Sequence, residues 1–114
     1  MQITPKDIFE KHIADALVKN PALARDVNAV FHFDLGGPAG GQWTLDLTRE
    51  QDWVAGGLQG TPQMTITVSD ADFISVVAGK MNAQTAVITG KLKFKPMNIA
   101  LAAKLSKVLS SART

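Results

Sequence analysis

The chain contains no cysteine and no tyrosine, and only 6% of its residues are aromatic. Without cysteine there is no disulfide, no thiol nucleophile and no cysteine-based zinc site. Apolar runs are only a few residues long, as at Ala29–Phe31 and around Ala100–Ala102, whereas a membrane-spanning helix needs about 20 residues. The first residues, Met1–Asp7, lack the apolar core of a signal peptide. We therefore expect a cytoplasmic protein.

Acidic residues are missing from the last third of the chain. Residues 80–114 carry seven Lys or Arg and no acid, whereas residues 1–79 carry five basic and ten acidic residues, so charges of +7 and −5 give the net +2. The basic segment either faces phosphate groups of nucleic acid or lipid, or its lysines lie on solvated faces. Its one aromatic residue, Phe94, alternates inward, so no stacking platform for bases is expected. We expect no nucleic-acid partner.

Residue patterns over 114 positions predict one domain, residues 1–114, of the α+β class. Alternating apolar residues predict five strands: Val27–Leu35, Gln42–Leu47, Asp52–Gly56, Gln63–Val68 and Lys91–Lys95. Capping residues and helical spacing predict helices from Thr4 to Asn20, Ser69 to Gly79, Ala83 to Ile88 and Met97 to Ser110, with a short turn at Ala22–Arg25. Because the strands mostly alternate, helices should cover one sheet face and water the other.

The residues offer few groups for catalysis. His12 and His32 lack metal-ligand spacing, and each is interpreted as a surface or rim residue. Ser69 with Asp70 and Asp72 has the form of a helix start, which explains both acids electrostatically. The glycines of residues 36–41 join two strands, so no helix amides are available to hold phosphate. We predict no catalytic residue, no metal site and no cofactor.

With few groups for catalysis, the remaining feature that could bind a ligand is the apolar surface. Two amphipathic helices and a sheet enclose it, and Met64, Met81 and Met97 are available either as adaptable lining or as ordinary core. The pattern alone leaves open whether the layer between helices and sheet is filled or hollow.

Several segments together resemble a known family. They are Gly41–Leu47, Thr65–Phe73, Gly79–Ala86 and Gly90–Phe94. In this order and spacing they are similar to the sterol carrier protein 2 (SCP2) domain, over about Phe31 to Leu109. The chain is identified as a stand-alone, prokaryotic-type member, since its end, Ala112–Thr114, lacks the peroxisomal Ser-Lys-Leu address.

The resemblance implies a five-stranded mixed, mostly antiparallel sheet with helices packed on one face. It also implies an apolar tunnel between these layers for a fatty acid, fatty acyl-CoA, isoprenoid, sterol or phospholipid. Carried onto this sequence, the lipid-binding residues are Trp43, Leu45, Phe73, Val77, Met81, Gln84, Val87, Leu101, Leu105 and Leu109. The polar Gln84 either meets a headgroup or bonds the local turn.

The expected function is non-catalytic lipid binding and transfer. The expected contacts to headgroups or an anionic membrane are Lys91, Lys93, Lys95, Lys104 and Lys107. Pro96 stands where the family often has a more flexible residue, which would stiffen the entry to the last helix. Two alternatives stay open: an accessory module presenting a lipid to a lipid- or quinone-modifying enzyme, and a packed interaction domain with a closed tunnel.

Overall fold

The computed structural model describes residues 4–95 and 98–111, apart from the side chains of Ala83, Gln84 and Ser110. The strands are β1 (Val30–Gly36), β2 (Gly41–Asp46), β3 (Val54–Gly56), β4 (Met64–Ser69) and β5 (Leu92–Lys95). Helix α1 consists of three consecutive segments, Pro5–Asp7, Ile8–Ile13 and Ala14–Lys19, the middle one with π-type geometry. The other helices are α2 (Ala22–Val27), α3 (Asp70–Val77), α4 (Ala83–Ile88) and α5 (Ile99–Ser111).

The five strands form one mixed sheet in the order β3-β2-β1-β4-β5. β1 pairs in parallel with β4, and the other neighbouring pairs are antiparallel. This confirms the α+β fold with a mostly antiparallel mixed sheet. Because β3 and β4 lie on opposite sides of the β1–β2 hairpin, the chain between them must cross the sheet.

Local capping signals set where the helices begin and end. Ser69 begins α3 by accepting a hydrogen bond from the Asp72 N–H at 3.2 Å, as the sequence predicts. Gly90, with φ +78°, follows α4 in the left-handed conformation that glycine adopts most easily. The Lys91 N–H then bonds back to Ala86 O at 2.8 Å, which leads the chain directly into β5.

Thr4 and Asp7 fix the start of α1 through a reciprocal capping box. The Thr4 hydroxyl accepts from the Asp7 N–H at 3.3 Å. In return the Thr4 N–H and hydroxyl donate to the Asp7 carboxylate at 3.2 and 3.1 Å. These two bonds, the backbone one first, lower the pKa of Asp7 from its usual 3.8, with a smaller contribution from Lys11.

The core lies between the helices and one sheet face. Phe31, Phe33, Leu45 and Ile66 from the sheet are buried there against the helices. The alternation predicted for Val27–Leu35 is therefore confirmed from Ala29 onward. Val27, assigned to the same strand from the sequence, instead ends α2, because Asn28 adopts a left-handed conformation (φ 48°) that stops the helix and turns the chain.

The opposite sheet face is not wholly exposed to water, contrary to expectation. The crossing segment 57–63 covers part of it, and His32, predicted at the surface, is 7% exposed beneath that segment. His32 Nε2 donates to Gln59 O at 2.8 Å. Thr44 Oγ1 donates to Gly57 O at 2.8 Å and accepts from the Gln59 N–H at 2.9 Å. The sequence does not predict that segment 57–63 covers this face, because the crossing depends on the order of the strands in the sheet.

The last helix is described from Ile99, and Asn98 caps it by accepting from the Leu101 N–H at 3.1 Å. The predicted effect of Pro96 and the assignment of Met97 to this helix lie outside the described residues. Within the described part of the chain, no helix is long and apolar enough to cross a membrane.

Candidate functional site

A row of large apolar side chains crosses the helix-covered face of the sheet. Trp43 of β2 lies opposite Phe33 of β1. Phe33 lies opposite Ile66 of β4, and Ile66 lies opposite Phe94 of β5. Neighbouring strands are about 4.8 Å apart, so the row spans about 14 Å. It forms the floor of the space between sheet and helices.

An apolar pocket lies over the β1–β4–β5 part of this row. Its walls come from three sheet strands and two helices, and its lining is Phe33, Ile66, Phe73, Val76, Leu92, Phe94, Leu105, Ser106 and Leu109. Ser106 is the polar member of this lining. A site that is almost entirely hydrocarbon can bind an apolar chain but offers little for acid–base chemistry.

The pocket is nearly closed. Its cavity volume is about 10 Å³, which is about the space one water molecule needs. Sites that hold drug-sized ligands are roughly 300–1,000 Å³. A lipid would therefore enter only if the pocket expands.

Phe9 of α1 fills the space beside the pocket. Its ring stacks on Trp43 at 5.1 Å between centroids and on Phe73 at 5.1 Å, with interplanar angles of 17° and 9°. It meets the edge of Phe33 at 5.0 Å. Phe9 is fully buried, so it belongs to the same apolar layer as the pocket although the family motifs do not reach it.

The structure brings together only some of the predicted lipid-binding residues. Phe73, Leu105 and Leu109 line the pocket. Six others belong to the surrounding core or pack against it: Trp43, Leu45, Val77, Met81, Val87 and Leu101. Gln84 lies in α4, but its side chain is outside the described part, so its headgroup role stays a prediction.

Sequence reasoning missed most of the pocket lining. Phe33, Ile66, Leu92 and Phe94 were assigned to the inward strand faces, but not to the site. Alternation shows that such residues point inward; it does not show that they share one transverse row. That information lies in the order of the strands, which brings β5 beside β4.

The predicted headgroup lysines are on different surfaces. Lys93 and Lys95 lie opposite Thr67 and Thr65, on the exposed side of β5, and Lys91 is exposed at the turn before it. Lys104 Nζ instead reaches Asp26 O of α2 at 3.4 Å. The ion pairs among the described residues are confined to α1. Within that part of the chain, Lys93 and Lys95 therefore have no carboxylate partner.

Comparison with known proteins identifies the family. The model of the SCP-2 sterol transfer family matches residues 9–110. The chain therefore belongs to this family, and the resemblance of the sequence motifs is confirmed.

Two curated relatives are similar to most of this chain. Peroxisomal multifunctional enzyme A of Dictyostelium discoideum is 35% identical over 97 residues, 83% of this chain and 22% of that enzyme. Non-specific lipid-transfer protein-like 1 of Caenorhabditis elegans is 30% identical over 105 residues, 90% of this chain and 88% of that protein. The chain thus spans about a fifth of the first relative and most of the second.

A solved structure carries the same fold. The solution NMR structure of palmitated SCP2L2 from Aedes aegypti matches with a TM-score of 0.72 and 27% identity, covering 95% of this chain and 96% of that one. The architecture expected from the resemblance is therefore confirmed, whereas the residues that the structure describes enclose a nearly closed pocket and not an open tunnel.

Proposed function

We propose that this chain is a non-catalytic lipid carrier that holds one acyl-type chain between the sheet and α5. The observation that carries the proposal is the apolar pocket formed by Leu105 and Leu109 of α5 with Leu92 and Phe94 of β5. The structure of SCP2L2 from Aedes aegypti supports it, because that protein has the same fold and is described as palmitated. The ligand class is a fatty acid, fatty acyl-CoA, isoprenoid, sterol or phospholipid.

The burial of hydrocarbon would supply the binding free energy. Each buried methylene contributes about 0.8 kcal/mol, so a chain of about 16 carbons gains about 13 kcal/mol in total. Ordering the ligand and expanding the pocket offset a large part of this gain. A remainder of about 8 kcal/mol corresponds to micromolar binding, a strength that permits both uptake and release.

Entry of a lipid requires the layers to separate, and α5 is the element we expect to move. It contributes three of the lining residues, Leu105, Ser106 and Leu109. The sheet side of the pocket is held by paired strands, so moving it would break backbone hydrogen bonds. Moving α5 separates only side-chain contacts, which makes it the easier wall to displace.

We also propose that the β5 lysines attract anionic headgroups or an anionic membrane surface. Lys93 and Lys95 are exposed on the same strand whose opposite side, through Leu92 and Phe94, lines the pocket. An exposed apolar residue, Ile88, lies at the end of α4 just before this strand, with 84% of its surface accessible. Positive charge beside exposed hydrocarbon suits contact with a lipid surface.

A second candidate is an accessory module that presents a lipid to a lipid- or quinone-modifying enzyme. The Dictyostelium discoideum relative favours it, because there the matching segment is a small part of a multifunctional enzyme. Both candidates require lipid in the pocket, and they differ in whether an enzyme partner accepts it.

Native mass spectrometry tests the proposal directly. The protein is purified and incubated with palmitate, palmitoyl-CoA, an isoprenoid alcohol or a phospholipid, and its mass is recorded. A one-to-one adduct that extracts as a lipid supports the carrier. A bare polypeptide mass in every case would contradict it and favour a packed interaction domain.

A further inference from the structure

Phe9 lies directly behind two residues that line the pocket. Two of the lining rings, Phe33 and Phe73, are the rings that Phe9 contacts at 5.0 and 5.1 Å. No other layer of side chains therefore separates the Phe9 ring from these two walls. Space vacated by Phe9 would be continuous with the pocket once either wall ring shifts.

The transverse row continues beneath Phe9. The pocket lies over Phe33, Ile66 and Phe94, whereas Phe9 covers the Phe33–Trp43 part of the same row. Beyond Trp43 the next position is Gly56 of the edge strand β3. Gly56 has no side chain, and a Cβ added there would meet nothing within 4 Å. The floor would therefore run on to the sheet edge if Phe9 did not cover it.

We propose that Phe9 sets the length of acyl chain that this site admits. The inference rests on the proposed lipid-carrier function and goes beyond it, because it assigns chain-length selection to a residue of α1. The chain enters between α5 and β5, lies along the transverse row and stops where the Phe9 ring is held between Trp43 and Phe73. Longer chains leave their extra methylene groups in water.

The aromatic contacts of Phe9 explain why an acyl chain should not displace its ring. Aromatic pairs add attraction beyond their buried area, and Phe9 is packed against three rings. An acyl chain has no π-system to replace these contacts. Displacing the ring therefore loses attraction that the added methylenes do not restore.

Affinity measured against chain length tests the proposal. Saturated fatty acids of increasing length are titrated into the wild-type protein and into Phe9→Ala. Affinity should rise about fourfold per methylene while the chain is being buried and then level off at the length that reaches Phe9. In Phe9→Ala the rise should continue for up to about six more carbons, as many as the lost ring held.

Two further variants separate chain-length selection from loss of stability. Leu17→Ala removes a fully buried side chain from the same helix, outside the ring stack, and should leave the levelling length unchanged. Phe9→Leu keeps an apolar side chain and should move that length by less than Phe9→Ala does. If Phe9→Ala proves unfolded, Phe9→Leu still decides the question.

The outcomes distinguish the two proposals. If the wild type binds fatty acid and the levelling length is the same in wild type, Phe9→Ala and Phe9→Leu, Phe9 does not set chain length, although the carrier function stands. If neither wild type nor variants bind any fatty acid, chain-length selection by Phe9 is contradicted, and the carrier proposal fails as well if native mass spectrometry also shows no adduct with palmitoyl-CoA, an isoprenoid alcohol or a phospholipid.

Discussion

The carboxylate of Asp70, the first residue of α3, accepts a hydrogen bond from the backbone N–H of Ala39 at 3.0 Å. Ala39 lies in the glycine-rich loop between β1 and β2, so this bond ties the loop to the helix that carries Phe73. The sequence predicts a flexible loop and assigns Asp70 only to the first helical turn. The structure gives Asp70 a second role, the anchoring of that loop.

Substitution of Gly37 should disturb the Asp70 carboxylate that anchors the loop. Gly37 has φ +94°, and a Cβ added to it would overlap the Asp70 carboxylate. Gly37→Ala should therefore lower the free energy of unfolding by about 1–2 kcal/mol, measured by urea denaturation. Gly57→Ala is the matched control, because Gly57 also has positive φ but open space around it; equal losses in both would show that backbone strain alone matters.

Two leucine substitutions should show how far the lipid site extends along α5. Leu101 and Leu109 are both half-buried on this helix, but only Leu109 lines the pocket. Leu109→Glu should weaken palmitate binding at least tenfold more than Leu101→Glu, at similar cost in stability. Leu105 is a poorer probe, because at 1% exposure a carboxylate there would unfold the protein. Equal weakening by the two variants would extend the site to Leu101, as the sequence expected.

The two β5 lysines and Lys91, at the turn before β5, should dominate contact with anionic vesicles. Replacing Lys91, Lys93 and Lys95 with Gln should reduce co-sedimentation with phosphatidylserine-containing vesicles at least tenfold, since each lysine near such a surface contributes about 1 kcal/mol. The control replaces Lys6, Lys11 and Lys19 of α1 with Gln. A larger effect of the control would move the membrane-facing surface to α1.

The crossing segment 57–63 should depend on the Thr44 hydroxyl. Thr44→Val keeps the shape of the side chain but leaves Gly57 O and the Gln59 N–H without their partner. We expect a loss of about 2 kcal/mol in unfolding free energy. Thr67→Val, at an exposed position on the same sheet face, should change it by less than about 0.5 kcal/mol.

Acid should weaken the start of α1. The pKa of Asp7 is lowered by its bonds from Thr4, so its stabilising contribution is complete above about pH 4 and is lost as the pH falls through the lowered pKa. The melting temperature of Asp7→Asn should therefore lie below that of the wild type at pH 7, and the difference should shrink as the pH falls below 3.8 and through the lowered pKa. A difference that does not change with pH would contradict the charge-dependent capping.

Much of the fold follows from local signals, and much of the site does not. Ser69 and Asn82 mark helix starts because their side-chain oxygens accept backbone N–H bonds, and Gly90 marks a helix end through its positive φ. The predicted bounds of α4 therefore match the structure to the residue. The pocket depends on which strands are neighbours, and Phe33 meets Phe94 through Ile66 only because β4 lies between their strands. Phe9 was not predicted as a site residue because it reaches the row from α1, which precedes the segments that carry the family resemblance.

The most direct test of the central claim locates a bound lipid atom by atom. Nuclear Overhauser contacts should be recorded between uniformly ¹³C-labelled palmitate and the side chains of the protein. We predict contacts from the chain to Leu92, Phe94, Leu105 and Leu109, with the terminal methyl group nearest Phe73. Stoichiometric binding with contacts only to the exposed Ile88, or to the outer sheet face around Thr67, would contradict a site between the sheet and α5.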